Sequence, residues 1–160
     1  MRITLAAIGR LKDGPDRALF DRYWQRLDAG GRKIAFHPLR LIELPESRAQ
    51  TAPARKTDEA ARLDQASASR DFTIALDESG RQLTSPAFAA LLARHRDAGV
   101  RELALLIGGP DGHGAGILER ADLVLGLGTM TLPHGLARIV LAEQLYRAST
   151  ILTGHAYHRA

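Results

Sequence analysis

The chain has 160 residues and contains no cysteine. Disulfide bonds, a thiol nucleophile, iron–sulfur ligation and thiolate zinc sites are therefore all excluded. Metal binding through other groups has little support, because the sequence has no HExxH pattern and His155 and His158 stand without neighbouring carboxylates. We predict a protein without a metal, whose chemistry relies on oxygen and nitrogen groups.

Long apolar runs are also lacking. No run approaches the ~20 residues that a membrane span needs, and the N-terminus enters a strand-like pattern without the layout of a signal peptide. The sequence therefore predicts a cytoplasmic protein with no membrane partner. Hydrophobic residues make up 45% and charged residues 25% of the chain, which is typical of a globular protein, and the length predicts one domain over residues 1–160.

Lysine is scarce, since only Lys12, Lys33 and Lys56 occur among 22 basic residues and arginine supplies the rest. The formal net charge is +4 and the isoelectric point is near 10.0. Such a surplus suits a polyanionic partner, because guanidinium groups pair with phosphates in bidentate geometry. A genome bias toward arginine explains the same composition equally well, so charge alone does not decide the partner.

Aliphatic or β-branched runs alternate with helix-patterned segments, which predicts an α/β domain with a mostly parallel sheet. The predicted strands are residues 2–9, 33–44, 72–76, 102–107 and 122–127. The predicted helices are residues 16–27, 54–69, 85–98, 117–121 and 133–151. We expect the helix over 54–69 to face solvent for the most part, Gly80 to form a turn, and Ser85 to cap the third helix.

Three turns are candidates for a binding site, because ligands of open α/β sheets bind beyond the carboxyl ends of the strands. They follow Leu76, Ile107 and Leu127. The turn over residues 108–114 holds four glycines in seven residues, which allows close backbone approach to a ligand and positive φ angles. It matches neither a dinucleotide-binding GxGxxG motif nor a phosphate-binding loop. A nucleoside is thus the better candidate ligand, and an ordinary turn is the alternative.

The stretch over residues 127–134 is also irregular, and its backbone amides and carbonyls offer the pattern of donors and acceptors that an adenine edge requires. We expect His134 to have a capping or core role. On the last helix, the i, i+4 spacing of Glu143 and Arg147 predicts an ion pair.

The C-terminal residues 154–159 read Gly-His-Ala-Tyr-His-Arg. Histidine and tyrosine can move a proton, tyrosine can stack on a base, and arginine can hold a phosphate. A tail without a function is an equally open interpretation of these residues alone.

The stretches 105–112, 132–134, 143–148 and 157–159 resemble the RlmH family, and the likeness spans the whole chain. This family comprises bacterial ribosomal RNA methyltransferases of the SPOUT class, which methylate the ring N3 of a pseudouridine in the large-subunit stem-loop at the decoding centre. The resemblance implies a SPOUT-type α/β fold, with a mostly parallel sheet flanked by helices and a C-terminal trefoil knot. Periodicity alone would not suggest a knot, because true knots are very rare.

The resemblance also implies a cofactor, partners and site residues. The cofactor is S-adenosylmethionine, and the expected partners are large-subunit ribosomal RNA within the ribosome and a second copy of the chain in a homodimer. Catalytic candidates are His155, Tyr157 and His158, and candidate RNA contacts are Arg138 and Arg159. The residues expected to bind the cofactor are Leu76, Gly108, Gly109, Leu127, Gly128, Thr129, Met130, Thr131 and Leu132.

Two alternatives stay open. The chain is either a SPOUT methyltransferase that acts on another RNA nucleotide, or a non-catalytic protein that binds RNA or the ribosome. Binding of S-adenosylmethionine separates the second alternative from the others.

Overall fold

A computed structural model describes residues 1–158 of the protein. Five strands and five helices alternate along the described chain, with a 3-10 turn (Arg32–Ile34) between the first helix and the second strand. The elements are β1 (Arg2–Ile8), α1 (Pro15–Gly31), β2 (Leu39–Leu44), α2 (Ala52–Ala66), β3 (Phe72–Gln82), α3 (Ser85–Asp97), β4 (Glu102–Ile107), α4 (Ala115–Arg120), β5 (Leu123–Gly126) and α5 (His134–Leu152).

The strands form one sheet in the order β2-β1-β4-β3-β5, and every paired strand runs parallel to its neighbour. This confirms the predicted α/β fold with a parallel sheet. All six residues of β4 are buried, as expected of a strand that helices cover on both faces. Because all strands point the same way, their carboxyl ends lie along one edge of the sheet.

Helices cover both faces of the sheet. In β1, Ile3, Leu5 and Ala7 face the larger core, which α1, α3 and α5 complete, whereas Ala6 and Ile8 face a smaller core completed by α2 and α4. This division follows from the alternation of side chains along a strand. No helix of residues 1–158 is both long and apolar enough to span a bilayer.

Several predicted element boundaries were wrong, each for a local reason. Residues 33–38 are not extended, because the 3-10 turn and a left-handed Ala35 (φ 58°) precede β2. Thr84 rather than Ser85 caps α3, since its hydroxyl accepts from the amide of Ala87 at 3.3 Å. The Ser85 hydroxyl instead donates to Gln144 at 2.7 Å.

Gly80 lies within β3 and not in a turn, because β3 continues past an irregularity and pairs again with β5. A Cβ at Gly80 would lie 2.5 Å from the backbone carbon of Leu125, so only glycine fits this crossing of the chain. The helix α2 is less exposed than expected, since Glu59 and Leu63 are buried. The trefoil knot stays a prediction.

A buried ion pair joins α5 to the carboxyl ends of two strands. Arg138 is wholly buried, and it donates to Glu43 Oε1 at 2.6 Å and to the carbonyl oxygens of Ile8 and Gly9 at 3.2 and 3.1 Å. Burial lowers the pKa of Arg138, against the opposing effect of Glu43. This placement argues against the predicted RNA contact of Arg138, because its guanidinium group is enclosed by the protein.

We predict that Arg138→Leu lowers the free energy of unfolding by about 3–5 kcal/mol, because it removes one partner of a buried pair. Arg17 and the Leu11 amide still compensate Glu43, so the lower part of this range is expected. Urea unfolding measures the change. The control is Arg62→Leu, which removes a half-exposed i, i+4 pair with Asp58 and should cost less than about 1 kcal/mol. Equal losses in the two variants would contradict a stabilising role for the buried pair.

Candidate cofactor-binding site

A cavity of about 540 Å³ opens at the carboxyl edge of the sheet. The segments that follow β3, β4 and β5 form its walls, so the three turns singled out in the sequence meet at one place, as expected of parallel strands. Its lining residues are Lys56, 76–78, 107–113, 125, 127–128, 130–134 and Ala137.

The glycine-rich loop after β4 is folded tightly against its surroundings. A Cβ at Gly108 would lie 2.9 Å from the backbone carbon of Gly112, and a Cβ at Gly109 would lie 2.7 Å from Glu59 Oε2. Of these three glycines, only Gly112 has a positive φ, of 78°. Close approach, and not backbone conformation, is therefore the reason for glycine at positions 108 and 109. Arg55 holds the loop from outside through Asp111, at 2.6 Å.

The second irregular stretch also lines the cavity. The amides of residues 127–132 form no hydrogen bond with another backbone group of residues 1–158 beyond the strands and helices. They are thus free to bind a ligand, as expected for recognition of a base edge. The Thr131 hydroxyl donates to Glu78 at 2.7 Å and ties this stretch to the end of β3.

Eight of the nine residues predicted to bind the cofactor line the cavity. Thr129 is the exception, because it is exposed and is not part of the lining. Met130 belongs to the lining although it is 81% exposed.

The sequence analysis missed several charged residues of the lining. Asp77 and Glu78 directly follow the buried part of β3, a position that the rule of strand ends could have identified. Burial opposes ionisation of Asp77, but hydrogen bonds from the hydroxyl and amide of Ser79 outweigh it and lower the pKa. Lys56 reaches the cavity from α2, and no local pattern points to it.

Two histidines also belong to the lining, although neither was among the residues predicted to bind the cofactor. His113 is buried, and its Nε2 lies 3.2 Å from the carbonyl oxygen of Leu106. Burial lowers the pKa of His113. His134 is the first residue of α5 and is half-buried.

The C-terminal tail lies elsewhere in the subunit. The Tyr157 hydroxyl donates to Glu143 at 3.0 Å, and the Tyr157 ring lies 4.7 Å from the ring of Tyr146. Arg147 pairs with Glu143 at 2.6 Å, which confirms the predicted ion pair. The cavity lies at His134, and the rise of 1.5 Å per residue along α5 separates His134 from Tyr146 by ~18 Å.

None of the three catalytic candidates of the tail lines the cavity of its own subunit. Burial and the hydrogen bond to Glu143 raise the pKa of Tyr157, which argues against Tyr157 as a base. His155 is exposed, and its Nδ1 accepts from the Tyr157 amide at 3.1 Å. The Nδ1 atom of His158 is buried without a partner among residues 1–158. Arg159 lies outside the described residues.

No group of three or more histidine, aspartate or glutamate side chains in residues 1–158 is arranged to hold a metal ion.

A parallel sheet with irregular turns around a cavity at its carboxyl edge is typical of α/β domains that bind a ligand at this position. A family model described as "Predicted SPOUT methyltransferase" matches residues 1–158. The chain belongs to this family of methyltransferases.

Curated relatives match over their full length. A protein of Brucella anthropi is 50% identical over 160 residues, and one of Brucella abortus strain S19 is 48% identical over 169 residues. Each comparison covers 100% of both chains, and both relatives are named "Ribosomal RNA large subunit methyltransferase H". The resemblance found in the sequence is thereby confirmed.

Solved structures show the same fold at low identity. A probable methylase family protein of Haemophilus influenzae is 13% identical with a TM-score of 0.55, over 99% of this chain and 70% of that one. A probable methyltransferase of Bordetella pertussis is 16% identical with a TM-score of 0.55, over 92% of this chain and 95% of that one. At these identities the likeness concerns the fold alone.

We predict that His113 causes the free energy of unfolding to decrease as the pH falls. Because its pKa is lowered in the folded state, the unfolded chain takes up a proton that the folded protein refuses when the pH drops below the usual imidazole value of about 6.5. The contribution of His113 to the free energy of unfolding is fully present above that value and decreases below it. The decrease is at most about 1.4 kcal/mol per unit of difference between the pKa values of the unfolded and folded states. Urea unfolding at about pH 7.5 and about pH 5.5 measures this dependence.

His113→Gln should show a weaker dependence on pH than the wild type, whereas His155→Gln, a change at an exposed position, should keep the wild-type dependence. Identical pH dependences in the wild type and His113→Gln would contradict the prediction.

Proposed function

We propose that the protein transfers a methyl group from S-adenosylmethionine to the ring N3 of a pseudouridine in large-subunit ribosomal RNA. The observation that carries this proposal is the convergence of three strand-end turns on one cavity, in a chain of the SPOUT methyltransferase family. The name of the two Brucella relatives supports ribosomal RNA as the substrate.

The residues present fit S-adenosylmethionine. The amides of 127–132 would hold the adenine edge, and the glycines at positions 108 and 109 let the loop after β4 fold closely against protein atoms and so keep its shape at the cavity. Lys56 offers a cation to the carboxylate of the methionine part. The bound cofactor would supply a methyl group on a positively charged sulfur.

The acceptor sets the remaining task of the enzyme. The N3 of pseudouridine carries a proton whose pKa lies well above neutral, and each unit between that pKa and the working pH raises the barrier by about 1.4 kcal/mol. A positioned base therefore accelerates the reaction, and proximity of methyl donor and acceptor supplies much of the rest.

The working enzyme is proposed to be a homodimer. Within one subunit, most of the length of α5 separates the cavity from the tail. In addition, a domain of this size has little surface for both a cofactor and a folded RNA. Met130 (81% exposed) and Leu136 (45% exposed) place apolar surface beside the start of α5, which fits burial against a second copy. The proposal includes the trefoil knot, action on RNA within the ribosome, and a cytoplasmic location.

The test of this function is methyl transfer to ribosomes and to ribosomal RNA that carry the unmodified pseudouridine. We expect incorporation of tritiated methyl groups, and mass spectrometry should place them on N3 of one pseudouridine. Gly108→Val should lose both cofactor binding and methyl transfer, because its side chain would collide with the backbone of Gly112 and His113.

Gly114→Ala is the matched control in the same loop, since a Cβ there makes only an ordinary contact of 3.4 Å with the Lys56 carbonyl oxygen. It should retain both functions. Methylation of another nucleotide would favour the alternative substrate, and failure to bind S-adenosylmethionine would favour a non-catalytic RNA-binding protein. Unchanged cofactor affinity in folded Gly108→Val would rule out this cavity as the binding site.

The tail is proposed to complete the RNA site and not the cofactor site. It offers histidines, a stacking ring and, at position 159, a cation for a phosphate, which are groups that a looped nucleotide requires. A chain truncated after Gly154 should still bind S-adenosylmethionine and should transfer no methyl group, even at saturating cofactor.

Tyr157→Phe, which keeps the ring and removes only the hydrogen bond to Glu143, serves as the matched control and should lose less activity. The measurements are calorimetric titration with cofactor and tritiated methyl incorporation. Full activity of the truncated chain would contradict this proposal. Loss of both functions would instead assign the tail to packing.

A further inference from the structure

The cavity contains six titratable side chains among the described residues. They are Lys56, Asp77, Glu78, Asp111, His113 and His134. Because methyl transfer to a protonated ring nitrogen needs a proton acceptor, each of them is a candidate for this task.

Three of the six are carboxylates that other side chains already engage. Asp77 accepts from the hydroxyl and the amide of Ser79 at 2.6 and 3.0 Å. Glu78 accepts from the Thr131 hydroxyl at 2.7 Å. Asp111 is paired with the Arg55 guanidinium at 2.6 and 3.2 Å. The contacts of Asp77 and Asp111 favour the ionised carboxylate, and carboxylates are in general weaker bases than an imidazole.

His113 is excluded by its position. It is buried, and its Nε2 lies 3.2 Å from the Leu106 carbonyl oxygen. Burial disfavours the charged imidazolium that proton uptake would form. Lys56 carries three donors and no acceptor in its charged form. His134 is therefore the one remaining proton acceptor among the cavity-lining residues of the described chain.

The surroundings of His134 suit this role. It forms no side-chain hydrogen bond with any of residues 1–158, and it is half-buried at the cavity wall. A Cβ at Gly9 would lie 3.4 Å from His134 Nε2 and 3.3 Å from Glu46 Oε1, so the imidazole and the Glu46 carboxylate both lie against the bare backbone of Gly9. Arg138 fixes that backbone by donating to the Gly9 carbonyl oxygen at 3.1 Å.

We propose that His134 is the general base of the reaction. This inference rests on the proposed function. The N3–H bond of the pseudouridine breaks, the proton passes to an unprotonated imidazole nitrogen, and the N3 electron pair forms the bond to the methyl carbon. The bond between that carbon and the sulfur breaks with its electrons going to sulfur. The products are N3-methylpseudouridine, S-adenosylhomocysteine and an imidazolium, which returns its proton to water.

Charged groups near His134 come from three elements. Glu46 lies on the loop after β2 against the backbone of Gly9, and Arg138 follows one turn later on α5, where Glu43 at the end of β2 compensates its charge. Arg10 and Lys12 follow β1 and are exposed, so solvent screens their effect. The tail keeps its proposed contact with RNA and is not needed as the base.

The test compares His134→Gln and His134→Ala with the wild type in single-turnover methyl transfer from about pH 5.5 to about pH 9, across the range in which imidazoles titrate. The wild-type rate should level off once the imidazole is unprotonated. In both variants the rate at neutral pH should fall by about 10²–10⁴-fold, and it should keep rising with pH over the whole range, because only the free N3 anion then reacts.

Two further measurements separate a base from a structural or cofactor-binding residue. Calorimetric titration should give unchanged affinity for S-adenosylmethionine in both variants, and added imidazole should restore part of the rate in His134→Ala. His37→Gln, at an exposed position just before β2 and outside both the cavity lining and the tail, is the control and should keep the wild-type pH profile.

An unchanged rate and pH profile in His134→Gln would overturn the proposal, and so would a loss of cofactor affinity equal to the loss of rate. A wild-type protein that methylates no pseudouridine N3 would contradict the proposed function itself, which is a different result.

Discussion

The ion pair between Arg138 and Glu43 connects three segments that the chain brings together from distant positions. One guanidinium group, wholly enclosed, holds the end of β1 through two carbonyl oxygens and the end of β2 through a carboxylate. It projects from the first turns of α5, which also supply His134 and Ala137 to the cavity. The wall of the cavity therefore depends on a wholly buried charge. Since a buried charge is tolerated only with partners in good geometry, this interaction also limits how the three segments can move.

Backbone groups and side chains contribute differently to the cavity. The glycine-rich loop presents bare backbone, and the stretch over residues 127–132 presents amides that have no backbone partner among residues 1–158. Side chains at the rim are mostly engaged by neighbours, as with Asp111 and Arg55 or Glu78 and Thr131. Such a site is pre-organised, because its polar groups need little rearrangement to receive a ligand. It also leaves few groups free for proton transfer.

The tail and the cavity occupy opposite ends of α5 in the described subunit. Tyr157 is bound to its own helix through Glu143, Tyr146 and Arg147, and this network keeps the tail on the half of α5 that is remote from the cavity. An RNA-modifying site that uses both parts thus needs an arrangement larger than one subunit. The assembly of subunits and the role of the tail are therefore linked.

Local patterns in the sequence were sufficient for the α/β class, the approximate limits of most strands and helices, and the three turns at the site. The apolar run of β4 and the glycines after it depend on near neighbours in the chain, and alternation along the strands then places the turns at one edge. The Glu143–Arg147 pair was likewise predictable, because i, i+4 spacing is a property of a single helix.

Only the tertiary structure decided where Arg138, Gly80, Lys56 and His134 lie. Arg138 carries the same charge as any exposed arginine, and its burial follows from Glu43, a residue 95 positions away in the sequence. Gly80 looked like a turn because its crossing with β5 is a long-range contact. Lys56 and His134 reach the cavity through the packing of α2 and α5 at the edge of the sheet. Sequence patterns report on neighbours in the chain, whereas burial and the meeting of distant side chains are properties of the packed fold.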